Sequence, residues 1–203
     1  MLEENRDASG VVGLMEQSGA LLAGHFVLSS GLHSARYIQC ALLLEVPARA
    51  EIIGRKLAGL VEQMLGLSVV DVVASPAIGG IVIGHEVARA LGARSVFAER
   101  TNGVMALRRG FAIARGERVL VVEDVITTGG STREVMEVVS AEGGKVVGVG
   151  AIVNRGGGVD FKVPLAFLVK AQIDNFNPEV CPMCKAALPF NKPGSRQSRG
   201  QEG

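Results

Sequence analysis

Val119-Leu120-Val121-Val122-Glu123-Asp124-Val125-Ile126-Thr127-Thr128-Gly129-Gly130-Ser131-Thr132 decides how this chain folds. Its four leading apolar residues show no polar alternation, which marks a strand buried on both faces. Two adjacent carboxylates follow, then a loop of hydroxyls and glycines that ends where residues 131–141 take up a helical pattern. Free backbone N–H groups, the positive end of the helix dipole and Thr and Ser hydroxyls converge on one spot there, as a phosphate dianion requires.

Working outward, the same alternation repeats on both sides. Residues 68–74 form an apolar run broken only by Asp71, Gly79-Gly80 opens a helix to about 91, and 95–97 is a short strand. A polar loop is expected over 99–110, then strands over 118–122, 145–153 and 164–169 around the 131–141 helix. Upstream, 11–18 reads as a helix, and 26–29 and 36–44 read as two β-like pieces separated by Ser30-Gly31. Pro47 opens a helix to about 65, with Ile53, Leu57, Leu60, Val61 and Met64 on one face and Gly66 as its cap. Buried strands alternating with helices imply right-handed crossovers. The expected fold class is therefore α/β, a central mostly parallel sheet flanked by helices, with ligands at the carboxyl ends of the strands.

Composition narrows the function. Of 203 residues, 48% are hydrophobic and 20% charged, which excludes bulk disorder. A formal charge of +1 supplies no field to gather nucleic acid, and 4% aromatics leave few platforms for stacking bases. No nucleic-acid partner is expected, and any anion must be held by local geometry. No Gly-Lys-Ser/Thr occurs and no GxGxxG follows a strand, which removes the main support for NTP hydrolysis or dinucleotide binding. The first ten residues lack an apolar signal region, and the longest apolar stretch, 69–84, is interrupted by Asp71 and Pro76. A cytoplasmic chain with no membrane partner is expected. Cys181-Pro182-Met183-Cys184 is a lone CxxC with no second ligand pair in view, so it is read as structural or incidental and no metal-binding residue is assigned. Residues 191–203 are expected to be a disordered tail.

Two carboxylates beside a phosphate cradle would repel the ligand unless something polyhydroxylated or cationic lay between them. A ribose fits, its vicinal hydroxyls donating to Glu123 and Asp124 while the 5′-phosphate sits in the glycine loop. The ligand read from these residues is a ribose phosphate.

The segment 123–132 resembles the phosphoribosyl pyrophosphate (PRPP) signature of the type I phosphoribosyltransferases. Within that family, Gly24-His25-Phe26-Val27-Leu28-Ser29-Ser30-Gly31-Leu32-His33-Ser34, Ser75-Pro76-Ala77-Ile78-Gly79-Gly80-Ile81, Phe97-Ala98-Glu99-Arg100 and Val153-Asn154-Arg155-Gly156-Gly157 are similar to the orotate phosphoribosyltransferases. The resemblance implies one domain over 1–190, with a small hood from about 20–45 and the C-terminal region. It implies transfer of the phosphoribosyl group from PRPP to orotate, giving orotidine 5′-monophosphate and pyrophosphate in pyrimidine biosynthesis, with Mg2+ on the PRPP and a homodimeric assembly. Carried over, Glu123, Asp124 and Arg100 are the catalytic residues, and Glu123, Asp124, Val125, Ile126, Thr127, Thr128, Gly129, Gly130, Ser131 and Arg100 bind PRPP. Thr128 and Arg155 face orotate, the guanidinium suiting its carboxylate and carbonyl edge.

The chain departs from the family where many members carry lysines: Ser29, Gly79 and the stretch 99–105 stand there instead, with Arg100, Arg108, Arg109 or His33 left to supply charge for pyrophosphate. Two rival readings are a purine-base phosphoribosyltransferase, which would want an apolar and aromatic pocket in place of Arg155, and a PRPP-sensing regulator, which would want a basic patch or winged-helix module.

Overall fold

The computed structural model describes residues 1–5, 8–28, 30–156 and 158–192. In chain order the elements are β1 (Leu2–Glu4), α1 (Val11–Gln17), β2 (Leu21–Val27), β3 (His33–Ile38), α2 (Cys40–Leu44), α3 (Pro47–Leu65), β4 (Val72–Pro76), α4 (Gly80–Leu91), β5 (Arg94–Thr101), β6 (Val104–Leu107), β7 (Arg118–Ile126), α5 (Gly130–Ala141), β8 (Lys145–Asn154), β9 (Leu165–Ala171), β10 (Asn175–Phe176) and α6 (Pro182–Lys185). They divide into two compact units. The larger holds Met1–Ala20 and Gln39–Gln172, and the smaller Leu21–Ile38 with the chain from Ile173 onward.

The larger unit is the expected α/β sheet. Its seven strands run β1-β9-β8-β7-β4-β5-β6, with β9, β8, β7, β4 and β5 parallel and both edges closed by antiparallel pairs. From β4 the chain moves one way to β5, and from β7 it moves the other way to β8. Opposite directions of travel put right-handed crossover helices on opposite faces, so α4 and α5 sandwich the sheet. On the α5 face, Val72, Ala74, Val119, Val121, Val149 and Ala151 pack with Val135 and Val139. On α3, Ile53, Leu57, Leu60 and Val61 are buried, each such side chain contributing about 1.5–3 kcal/mol. The strand β7 begins where Asp71 accepts from the Arg118 backbone N–H, Nε and Nη2 at 2.8, 2.8 and 2.6 Å. That bidentate pair holds the Asp71 carboxyl well below the usual range and explains the one charge in the 68–74 run. The strand itself starts at Val72.

The helix at 47–65 falls where its sequence pattern puts it, and those at 80–91 and 130–141 lie within a residue of their expected spans. The expected polar loop over 99–110 is instead mostly a hairpin: β5 continues to Thr101 and pairs with β6, closing Thr101 onto Val104. Asn102 at φ 53° and Gly103 at φ 83° make its two-residue turn, the mirror-image geometry that matches strand twist. Glu99, Arg100 and Thr101 at the end of β5, and a β6 of only four residues, disguised it.

The smaller unit has β2 and β3 paired antiparallel with a bulge between Ala23 and Phe26, and β10 on the other side of β3. The β-like piece expected at 26–29 begins earlier, at Leu21, and that at 36–44 ends at Ile38, after which Cys40–Leu44 is helix. Asn191 is no tail residue: its N–H donates to the His25 carbonyl at 2.8 Å and its carbonyl accepts from Val27 N–H at 2.9 Å. The rest of the expected tail, 193–203, lies outside the described residues.

Candidate active site

Parallel pairing of β4, β7 and β8 sets three loops side by side at the carboxyl edge of the sheet, and β4 and β7 flank the point where the direction of travel reverses. A crevice opens at such a switch point. After β4 come Ala77, Ile78 and Gly79, the Ala77–Ile78 peptide being cis. After β7 come Thr127–Gly129, and after β8 Arg155 and Gly156. The loops touch: a Cβ on Gly79 would stand 2.7 and 2.8 Å from the Asp124 carboxylate oxygens, and one on Gly156 would stand 2.5 Å from the Thr127 carbonyl. Arg155 N–H donates to the Ile126 carbonyl at 2.8 Å, continuing the β7–β8 ladder into the site.

The 127–131 loop is built as its residues require. Gly129, at φ 76°, is the residue before α5 and occupies the left-handed region. The first intrahelical bond runs from Arg133 N–H to Gly129 O at 3.0 Å, so the amides of Gly130, Ser131 and Thr132 have no carbonyl one turn back. Those free amides and the positive end of the helix dipole are the features that suit an anion. Its rigidity comes from residues the sequence did not single out. Arg133 Nη1 donates to the Thr128 carbonyl at 2.8 Å and its guanidinium lies 5.2 Å from the centre of the Phe161 ring. Phe161, itself buried, backs onto Gly129.

The two carboxylates differ. Asp124 is half-buried and its Oδ1 accepts from Val125 N–H at 2.8 Å. Glu123 is only 8% exposed, and burial first, then the charge of Asp124, pushes its pKa up to about 9. At neutral pH Glu123 therefore keeps its proton. Burial and the same two carboxylates also push up the thiol of Cys40 at the start of α2.

Because an unfolded chain releases the Glu123 proton near 4.5 and the folded one near 9, the folded state holds an extra proton in between. Stability then falls as pH rises through that window, by at most about 1.4 kcal/mol per pH unit. Glu123→Gln has no proton to lose. Its melting temperature relative to wild type should climb steadily from pH 5 to pH 9; parallel curves would refute a buried, protonated Glu123.

Arg100, expected beside PRPP, is turned to Glu134 on α5, with Nη1 to Oε2 at 2.6 Å and Nη2 to Oε1 at 2.9 Å. Arg108 donates to Thr101 Oγ1 at 3.0 Å and Arg109 to Glu99 at 3.1 Å, so both are held by side chains of β5. His33 is buried in the smaller unit. Nor is the cysteine pair alone: Cys181, Cys184, His25 and His33 bring their ligand atoms within 4.8 Å of one another. The sequence separates these pairs by about 150 residues, and only the CxxC spacing hints at them.

A sheet of this order with a hydroxyl-and-glycine anion loop and an acidic pair at its switch point defines a phosphoribosyl-transfer fold, and the phosphoribosyl transferase domain model matches residues 41–183. The chain belongs to the phosphoribosyltransferase family. Among its relatives, the orotate phosphoribosyltransferase of Thermotoga maritima is 52% identical over 184 residues, 90% of this chain and 96% of that one. That of Pelotomaculum thermopropionicum is 54% identical over 188 residues, covering 92% and 97%. The crystal structure of orotate phosphoribosyltransferase from Aeropyrum pernix superposes with a TM-score of 0.62 at 28% identity, covering 77% of this chain and 93% of that one.

Proposed function

We propose that this chain is an orotate phosphoribosyltransferase, moving the 5-phosphoribosyl group of PRPP onto orotate to release orotidine 5′-monophosphate and pyrophosphate in pyrimidine biosynthesis. The observation that carries the reading is the meeting of three loops, 77–79, 127–129 and 155–156, beside the adjacent carboxyl groups of Glu123 and Asp124. Thr127, Thr128, Gly129, Gly130 and Ser131 hold the 5′-phosphate through backbone amides and hydroxyls. Val125 and Ile126 carry the strand into that loop. Asp124 accepts a ribose hydroxyl, and Glu123, protonated, both donates and accepts at the other. The backbone of Gly79, bare of a side chain, lies against Asp124 where the pyrophosphate end of the ligand would pass.

The residues hold PRPP and orotate in line, so that the bond from C1′ to the pyrophosphate oxygen breaks as a ring nitrogen of orotate closes on the same carbon. The Asp124 charge sits close to the ribose as C1′ becomes cationic, and it is fixed in advance by Val125 N–H. Thr128 and Arg155 orient orotate from the two sides of the β7–β8 edge. Arg100 meets pyrophosphate once it leaves Glu134. The donor set at the crevice is oxygen, from Asp124, Glu123 and the Thr127 and Thr128 hydroxyls, which suits Mg2+ held mainly by substrate phosphates and water near Asp124. That ion supplies charge neutralisation for the departing pyrophosphate. The smaller unit takes the part of the hood, and the protein works as a homodimer in the cytoplasm without nucleic acid or membrane; among the described residues no helix is long and apolar enough to cross a bilayer.

The test is a panel of bases with PRPP and Mg2+. Orotate absorbance should be lost with turnover, and turnover of adenine or xanthine in its place would overturn the reading. In the same assay Arg155→Ala should raise the KM for orotate about tenfold more than that for PRPP, and equal rises would remove Arg155 from the orotate site.

A further inference from the structure

The smaller unit buries very little that is apolar. Among its described residues Phe26, Ile38 and Met183 are the buried hydrophobic side chains besides Cys181, too few to hold a three-stranded sheet and a short helix together. At its centre lie polar groups instead. His25 is 3% exposed, His33 7% and Cys181 0%, while Cys184 reaches the surface. His25 Nε2 is 2.8 Å from His33 Nδ1 and 3.7 Å from the sulfur of each cysteine, and Cys184 Sγ is 3.2 Å from His33 Nδ1.

We propose that His25 Nε2, His33 Nδ1, Cys181 Sγ and Cys184 Sγ bind one structural Zn2+. Zinc bonds of roughly 2.0–2.1 Å to nitrogen and 2.3 Å to sulfur, at tetrahedral angles, put neighbouring ligand atoms roughly 3.3–3.8 Å apart. The two 3.7 Å separations from His25 Nε2 to the sulfurs fall within that spacing, and the 2.8 and 3.2 Å separations to His33 Nδ1 are shorter, so a spread of the imidazoles, chiefly of His33, admits the ion. Each ligand is held by backbone. His25 and His33 stand on β2 and β3, which pair at Val27 with His33. The two cysteines flank a tight turn closed by Lys185 N–H to the Cys181 carbonyl at 3.1 Å.

The outer contacts favour a metal too. His25 Nδ1 lies 2.9 Å from the Leu188 carbonyl, which can only accept, so Nδ1 carries the proton and Nε2 presents its lone pair to the cluster. Phe190 lies edge-on to His25, with ring centres 5.9 Å apart, and shields the polar centre. Four protein ligands complete the tetrahedron and leave no open position, so the ion is structural. It ties the C-terminal segment to the β2–β3 hairpin across about 150 residues of sequence, the linkage the small core does not supply. Two thiolates and two imidazoles select zinc over Mg2+, so this ion and the one carried by PRPP do not exchange.

The test uses the full chain, purified under reducing conditions and dialysed without chelator. Mass spectrometry should find about one zinc per chain. A strong chelator should remove it and lower the melting temperature, and added Zn2+, but not Mg2+, should restore both. Metal-free reduced protein titrated with Co2+ should show the intense visible bands of tetrahedral coordination and a thiolate charge-transfer band, saturating at one equivalent. Cys184→Ser, a conservative change at the surface, should weaken Co2+ binding by about tenfold or more and lose the thiolate intensity of one sulfur. Folded, reduced wild-type protein that holds little zinc and gives no such cobalt spectrum would overturn the site, as would a Cys181–Cys184 disulfide in protein never exposed to oxidant. None of these readouts depends on turnover, so they stand apart from the assignment of orotate as substrate.

Discussion

Asp124→Asn should lower kcat by about 100-fold or more while leaving the melting temperature within a few degrees of wild type. The substitution is isosteric, so the Gly79 backbone against the carboxylate and the Val125 N–H to Oδ1 bond both survive. What disappears is charge. Glu123, whose pKa burial pushes up to about 9, cannot stand in for the Asp124 carboxylate at neutral pH. A preorganised group aimed at charge that develops in the transition state typically contributes about 3–4 kcal/mol, hence the size of the effect. The loss should fall on kcat more than on the KM for PRPP, because a ribose hydroxyl still finds the Asn carbonyl. Steady-state kinetics on both substrates decides it, and a kcat within about threefold of wild type would take Asp124 out of the chemistry.

Gly129→Ala should be the most damaging small substitution in the anion loop, costing about 2–4 kcal/mol of stability and raising the KM for PRPP at least about tenfold. Two independent effects act together. The φ of 76° is strained for any residue with a Cβ, and that Cβ would stand 2.8 Å from Phe161 Cζ and 2.9 Å from Val159 Cγ1. Phe161 would have to move, and with it the ring over which Arg133 lies while holding the Thr128 carbonyl. Gly130→Ala is the matched control for stability. Gly130 is helical and a Cβ there meets nothing nearer than Thr128 Oγ1 at 3.7 Å, so its melting temperature should hold or rise slightly. Thermal melts of the two variants side by side, with and without PRPP, separate loop geometry from the mere loss of a glycine. Equal melting temperatures would refute the strain argument.

The sheet was legible because its signals are local. An apolar strand needs only its own residues to declare itself, and a glycine or proline at its end marks where the chain turns, so α3, α4 and α5 fall close to their expected bounds, while β7 starts at Arg118 as expected but runs past 122 through both carboxylates to Ile126. The anion loop was legible for the same reason: amides, dipole and hydroxyls are consecutive in the chain. Misreadings cluster where a strand's partner is distant or its faces are wet. β6 is a four-residue edge strand too short to show an alternation of its own, and β1 and β10 are short strands that exist only because β9 and β3 offer them backbone groups. Glycine is the subtler case. Of the 27 glycines, Gly129 stands in the hydroxyl-and-glycine loop and Gly79 against the Asp124 carboxylate. Others serve packing: a Cβ on Gly54 would stand 2.5 Å from Glu86 Cβ where α3 and α4 cross.

By itself, then, the amino-acid sequence determined the α/β class, the crossover pattern and the place of the hydroxyl-and-glycine loop before α5, since each depends on residues within a turn or a strand of one another. Only the tertiary structure decided that Glu123 is buried enough to keep its proton, that Arg100 faces Glu134, and that two histidines of a hairpin meet the CxxC from the other end of the chain. Desolvation, ion pairing and metal-ligand geometry are properties of neighbours in space, and no spacing along a single chain encodes them.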